Sequence, residues 1–376
     1  MPTLRTCDLV HGNAFYSAIN PLAGAFESAT LVPKQQFALL DHDPDWGIYD
    51  KAGSNISLAA YRRGPYQDRV GQSQRLNGSL SVRPAAEECT YMYIGPLSMH
   101  HGHYLLTSVA RLWPLIKLND TNIKLVFHGD HDIQTYCKHL PVAAATLRAF
   151  NLSPDNFFRP VEPTRFGKLY IPAPSFEETN SAHRIHGDVG TIIGRSLPRS
   201  SAARTYSHPV IFSKARLTSG VSRILNEDKI IEHLVRKGME VIYPETLSLG
   251  DQIDIFERAP AIVSYAGSAL HTSLLAERSS KIIGLNLNST MASSQILIDF
   301  LKGNDSSYFY PNGTVMPSEN PAFAQDFHID DPVAVADEIL RQIDAKLGLR
   351  ARLRRMVGRP APEDRLAYPG VQSLWP

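Results

Sequence analysis

Three groups of residues have types and spacings that could do chemistry. The first is Ser98-Met99-His100-His101-Gly102-His103, immediately before an apolar-periodic stretch that begins at Tyr104. Imidazole titrates near pH ~6.5, so a histidine at the opening of a helix suits a general base that takes a proton from an attacking hydroxyl. The same cluster invites a metal reading, yet no nearby carboxylate or cysteine completes a ligand set at a recognised spacing. An ordinary polar loop is the third reading.

The second group follows the apolar run Val210-Ile211-Phe212 and comprises Ser213-Lys214 and then Ser222-Arg223-Ile224-Leu225-Asn226-Glu227. Lys214 as a point charge and Arg223 as a planar fork could both reach a diphosphate. Asn226 and Glu227 fall at a helix start, where they would serve either as a cap or as donor-site contacts. Glu245, after Pro244, ends the next strand and could accept hydroxyl hydrogen bonds from a ribose. Gln252 opens the following helix, where a surface glutamine is an equal reading.

The third group is Val263-Ser264-Tyr265-Ala266-Gly267-Ser268-Ala269-Leu270-His271, a strand running into a small-residue turn and a helix. Gly267 permits close backbone approach, and the N–H groups of residues 268 to 270 form an anion site suited to a pyrophosphate. A Gly-Ser turn before a helix also has a purely structural use. The chain lacks the G-x-x-x-x-G-K-[ST] of a P-loop, the G-x-G-x-x-G of a dinucleotide fold and the G-x-S-x-G elbow of a hydrolase triad.

The elements that must position these residues follow from hydrophobic period. Residues 91–94, 123–127 and 168–172 read as strands, with helices over 104–118 and 143–150 between them. Residues 174–208 lose periodicity and read as the interdomain segment. Strands at 210–212, 240–243, 261–264 and 281–285 then alternate with helices at 227–237, 249–258 and 269–277, the pattern of a doubly wound half-domain. In such sheets ligands sit beyond the carboxyl ends of the strands, so the loops 213–226, 244–248 and 264–268 are those to inspect. The last helix, 332–347, runs into Arg350, Arg352, Arg354, Arg355 and Arg359. That edge reads either as a contact with anionic lipid headgroups or as a solvated helix end.

The 376 residues give two domains as the working number. Lys+Arg of 38 against Asp+Glu of 37 leaves a net charge of +1, which disfavours nucleic acid as a partner. Cys7, Cys89 and Cys137 have no C-x-x-C spacing, which argues against a disulfide framework or zinc cluster and for a reducing compartment. No run approaches the ~18 apolar residues of a membrane span, and residues 1–26 lack the order of a signal peptide. The expectation is a soluble cytoplasmic protein.

Taken together, two stretches resemble glycosyltransferase family 61, whose members include bacterial capsule and lipopolysaccharide enzymes, plant xylosyltransferases and protein O-linked N-acetylglucosaminyltransferases. The longer runs from Ile211 to Leu285 and carries Phe212-Ser213-Lys214, Ser222 to Glu227, Pro244-Glu245, Leu247-Ser248-Leu249 with Gln252, and Gly267-Ser268-Ala269-Leu270. The shorter is Gly102-His103-Tyr104-Leu105-Leu106 with Arg111-Leu112-Trp113. The resemblance implies an α/β fold of two Rossmann-like lobes facing a cleft, the GT-B architecture. It further implies a nucleotide-sugar donor held by the second lobe, an acceptor held by the first, inversion at the anomeric carbon and no required metal. This chain departs from the family's pattern at four places: Lys214 for arginine, Ala266 for histidine, Thr272 for asparagine and Thr107 for an acidic residue. His271, one turn along, is the candidate substitute for the histidine missing at 266.

The expectation is therefore an inverting, metal-independent glycosyltransferase without a cofactor, building a bacterial surface polysaccharide on a glycan or lipid-linked glycan acceptor. The catalytic base is His103, with His101 as the second choice. The donor contacts are Ser213, Lys214, Arg223, Asn226, Glu227, Glu245, Gln252, Tyr265, Gly267, Ser268, Ala269, Leu270 and His271. The expected domains are an acceptor lobe over 1–180, a linker over 181–208, a donor lobe over 209–345 and a basic tail over 346–376 that touches the inner membrane peripherally. The rivals are a non-catalytic sugar-nucleotide or glycan-binding subunit and a histidine-metal hydrolase.

Overall fold

The structure is a computed structural model that describes residues 3–34, 46–66, 68–69, 72–76, 80–118, 122–200 and 205–357, with 68, 69 and 349–357 described by backbone alone. Short runs rich in Val and Ile form strands that bury both faces, as a parallel sheet covered by helices requires. Val210–Phe212 and Ile262–Tyr265 are buried at every position. They belong to a six-stranded sheet whose order is Glu240–Ile242, Val210–Phe212, Ile262–Tyr265, Lys281–Leu285, Asp305–Pro311 and Leu4–Thr6. All neighbours pair in parallel except the last two, which are antiparallel.

From Val210–Phe212 the chain passes through the helix Glu227–Arg236 to the sheet edge, then through the helix Leu249–Arg258 back to the other side of its starting strand. The crossover reverses direction between Val210–Phe212 and Ile262–Tyr265, and doubly wound sheets bind ligands in the crevice at the carboxyl ends of such a switch point. Ser213-Lys214 lies on one wall of that crevice and Ala266-Gly267 on the other.

The first half builds a second sheet around Thr90–Pro96. Ile123–His128 and then Phe157–Phe158 lie on one side of it, and Thr164–Pro172, Ala23–Val32 and Gly47–Tyr49 on the other. The two sheets share one apolar core, in which Leu105, Leu125, Ala143 and Val189 meet Ile253, Ile262, Leu274 and Ile298. The opposite face of the six-stranded sheet is covered by the helix that begins at Pro332, through Val335, Ala336, Ile339 and Ile343.

Several elements differ from the sequence reading. The helix expected over 104–118 is instead a turn at His101–His103, a π-helical segment at Tyr104–Ser108 and a 3-10 turn at Trp113–Ile116, with Pro114 as the second residue of the last of these. The helix expected over 269–277 is one α turn, Ser268–His271, followed by a 3-10 turn, Thr272–Leu275. The segment read as a linker over 181–208 contains the strand Ser181–His183 and the helix Arg184–Arg195. Its contact face is made of glycines, which hydrophobic periodicity does not register: a Cβ on Gly190 would stand 2.5 Å from the Leu274 carbonyl oxygen. Leu4–Thr6 lies in the second half's sheet, so the boundary at 180 does not separate the halves in space. The final helix turns non-helical at Gly348, with φ of 74°. The side chains of Arg350, Arg352, Arg354 and Arg355, and all of Arg359, lie outside the described residues, as does most of the expected basic tail. Among the described residues no helix is long and apolar enough to cross a membrane.

Candidate active site

The histidine turn hangs from the carboxyl end of Thr90–Pro96 and is pinned from below. The Ser98 amide donates to Ser108 Oγ at 2.9 Å, and Thr107 Oγ1 donates to the His103 carbonyl at 2.7 Å. The π segment that follows widens the helix just where His103 leaves it, a distortion that recurs at functional sites. Arg111 has no part in the chemistry: it is 3% exposed, and its guanidinium donates to the carbonyls of Leu58, Ala60 and Pro172.

His103 Nδ1 stands 2.6 Å from Oε1 of Glu178, whose other oxygen meets Arg63 Nη2 at 3.1 Å. Glu178 is 4% exposed. Burial raises its pKa, but the hydrogen bond and charge of His103, with Arg63 and His271 beyond, outweigh burial and hold the carboxyl below its ordinary range. A carboxylate on Nδ1 selects the tautomer with the proton on that nitrogen, leaving Nε2 as the basic atom. Glu178 thus places an acid beside His103, where position 107 holds a threonine. Sequence reasoning missed it because it lies 75 positions from His103 in a stretch without periodicity. Its only sequence signal is a polar pair, Glu177-Glu178, between short apolar runs.

His101 points across the gap between the halves, with Nε2 3.1 Å from Thr272 Oγ1. Burial, reinforced by His100, lowers its pKa to about 4, so it is neutral near pH 7. His271 is likewise lowered to about 4 by burial, and its Nδ1 is buried with no hydrogen-bond partner among the described residues. Gly102 is required at this junction, since a Cβ there would stand 2.9 Å from His271 Nδ1 and 3.1 Å from Ser268 Cβ. The histidine turn of the first half is thus packed onto the Gly267-Ser268 turn of the second. Among the described residues no three His, Cys, Asp or Glu side chains converge as a metal site.

The crevice residues divide into those that face it and those spent elsewhere. Lys214 Nζ donates to Ser222 Oγ at 3.2 Å and lies 5.7 Å from the centre of the Tyr265 ring. Burial lowers its pKa, opposed by the charge of Glu227. Glu227 is 2% exposed and accepts the Lys214 amide at 3.0 Å on Oε1. Burial raises its pKa to about 7, against the Lys214 amide, the Ser213 hydroxyl and the Lys214 charge. Among the described residues its Oε2 and the Tyr265 hydroxyl are both buried without partners, leaving two polar atoms in want of a ligand's hydrogen bonds. Ser213 is 2% exposed, and its Oγ accepts the Ala215 amide at 3.0 Å.

The expected contacts at Arg223 and Asn226 are occupied within the protein. Arg223 donates from Nε and Nη2 to both oxygens of Asp326, at 3.0 and 2.8 Å, on the strand Phe323–Ile329. Asn226 exchanges hydrogen bonds with the backbone of Ile329 at 2.7 and 3.1 Å, which replaces the helix cap the sequence suggested. Gln252 is no free surface glutamine, for its Nε2 donates to the Pro244 carbonyl at 2.8 Å and so fixes the turn that carries the exposed Glu245. At the Gly267 turn φ is +153°, a value that favours glycine. The Leu270 amide donates to the Gly267 carbonyl at 3.0 Å, so the anion site narrows to the amides of Ser268 and Ala269. Leu270 itself is fully buried.

Residues 101–283 match the family model described as Glycosyltransferase 61. That span runs from the histidine turn to the Lys281–Leu285 strand and contains both walls of the crevice. This match supports a family 61 glycosyltransferase, an enzyme that moves a sugar from a donor to an acceptor. No curated protein matches the chain.

Proposed function

We propose that the chain is an inverting, metal-independent glycosyltransferase of GT-B architecture that takes its sugar from a nucleotide-sugar and passes it to a glycan or lipid-linked glycan of a bacterial surface polysaccharide. The observation that carries this reading is the juxtaposition of the His103–Glu178 pair, from the first half, with the Gly267 turn at the switch-point crevice of the second. Two sheets with an intervening junction are the arrangement a two-lobe enzyme needs. The three unpaired cysteines suit a reducing compartment, in keeping with a cytoplasmic enzyme.

In this mechanism His103 Nε2 takes the proton from the acceptor hydroxyl as its oxygen attacks the anomeric carbon. The bond from that carbon to the diphosphate breaks on the opposite face, and the nucleoside diphosphate leaves with the electron pair. A single displacement inverts the centre. Glu178 stabilises the imidazolium that forms and does not itself take the proton. Lys214 and the amides of Ser268 and Ala269 meet the charge growing on the leaving group. Glu227 and the Tyr265 hydroxyl, short of partners in the free protein, bind hydroxyl or N–H groups of the nucleoside, with Glu245 at the outer rim.

The test is the Glu178→Gln variant, assayed for transfer across UDP-, GDP-, CMP- and dTDP-linked sugars. A glutamine keeps the shape but not the charge, so kcat should fall by roughly 10²–10⁴ with donor affinity retained. Unchanged turnover would remove the pair from the mechanism.

A further inference from the structure

The donor reading above leaves the crevice short of positive charge. The Arg223–Asp326 pair is neutral as a unit, and burial lowers the pKa of Lys214. A departing diphosphate needs more cationic contact than that.

Arg216 has the chemistry and the place to provide it. It lies two residues beyond Lys214, in the turn leaving Val210–Phe212, and is exposed. Its Cζ sits 3.8 Å from the centre of the Tyr243 ring. Tyr243 directly follows Glu240–Ile242, the strand paired with Val210–Phe212 through Phe212 and Ile242. Both residues therefore stand at the carboxyl edge of adjacent strands, on the side of the crevice that also carries Lys214. Other surface arginines such as Arg83, Arg195 and Arg341 are paired with carboxylates. Arg216 is in no ion pair among the described residues and rests on an aromatic face instead. That contact restrains the guanidinium while leaving its N–H edge uncommitted and its charge uncancelled, which lowers the entropic cost of gripping an anion.

We propose that Arg216, held on Tyr243, is a donor-binding residue that contacts the diphosphate of the nucleotide-sugar, in the place the sequence assigned to Arg223. The proposal rests on the nucleotide-sugar reading. A guanidinium edge can meet two phosphate oxygens at once, a bidentate grip that the Lys214 ammonium, as a point charge, does not provide.

The experiment is calorimetric titration of inorganic pyrophosphate, UDP, GDP, CDP and dTDP, with uridine, guanosine, cytidine and thymidine as phosphate-free controls. The proteins are wild type, Arg216→Ala, Arg216→Lys and Arg223→Ala. Arg216→Ala should weaken pyrophosphate and the preferred nucleoside diphosphate about tenfold or more while leaving the matching nucleoside unaffected. Arg216→Lys should recover part of the loss. Arg223→Ala should lower Tm yet keep affinity within about twofold. Wild-type affinity in Arg216→Ala, or an equal loss for nucleoside and nucleotide, overturns the proposal. Wild type that binds none of these ligands overturns the nucleotide-sugar reading itself, and this proposal with it.

Discussion

His103 has a carboxylate on one ring nitrogen and an open edge on the other, whereas His101 is turned onto Thr272 and kept neutral by burial. That difference favours His103 as the proposed base over His101, two histidines that sequence alone ranked by resemblance. The histidine turn was legible because three imidazoles before an apolar stretch are uncommon; Glu178 was not, because the contact that gives it meaning is made only by the fold. Glu227 was legible as a candidate residue, but its state depends on depth, which the sequence does not encode. Its folded pKa is raised to about 7 from an ordinary 4.5. Protonation therefore favours the fold: the contribution of the neutral acid is complete below pH 4.5 and lost as pH rises through about 7. The Glu227→Gln variant should match wild-type stability near pH 4.5 and exceed it at pH 8, by on the order of 1–3 kcal/mol. Denaturant titrations at the two pH values check this, and parallel curves would mean that Glu227 is ionised without cost.

At the scale of elements, the strands and helices between 210 and 285 were readable because each buries a regular apolar pattern. The helix Arg184–Arg195 was hidden because Gly187, Gly190 and Gly194 make its contact face, so that its backbone approaches Leu301, Leu274 and Leu275 directly. A methyl group added there meets backbone, which cannot rotate away. Gly190→Ala should cost about 1–3 kcal/mol and lower Tm by several degrees. Thermal unfolding of the variant measures it, and an unchanged Tm would show that the helix can slide outward freely. The other misreadings share a cause: short 3-10 and π turns keep the apolar spacing of an α-helix approximately, so 104–118 and 269–277 look continuous in sequence.

Across the whole molecule, the proposed function depends on two distant stretches of chain meeting at one junction. The sheet around Thr90–Pro96 presents the histidine turn, the sheet around Ile262–Tyr265 presents the crevice, and Gly102 lets the two close on each other. This division of labour was visible as an order of motifs, but not as a contact. In the proposed mechanism it also separates two measurable properties, the base coming from one half and the cation Lys214 from the other. The measurement that bears on it most directly compares transfer and nucleotide binding in His103→Ala and Lys214→Ala, using the sugar-nucleotide that best stabilises wild type. His103→Ala should lose transfer by at least about 10²-fold while binding nucleotide as wild type does, and Lys214→Ala should lose binding. Sustained turnover in His103→Ala, or nucleotide binding that fails in that variant and survives in Lys214→Ala, would contradict the account.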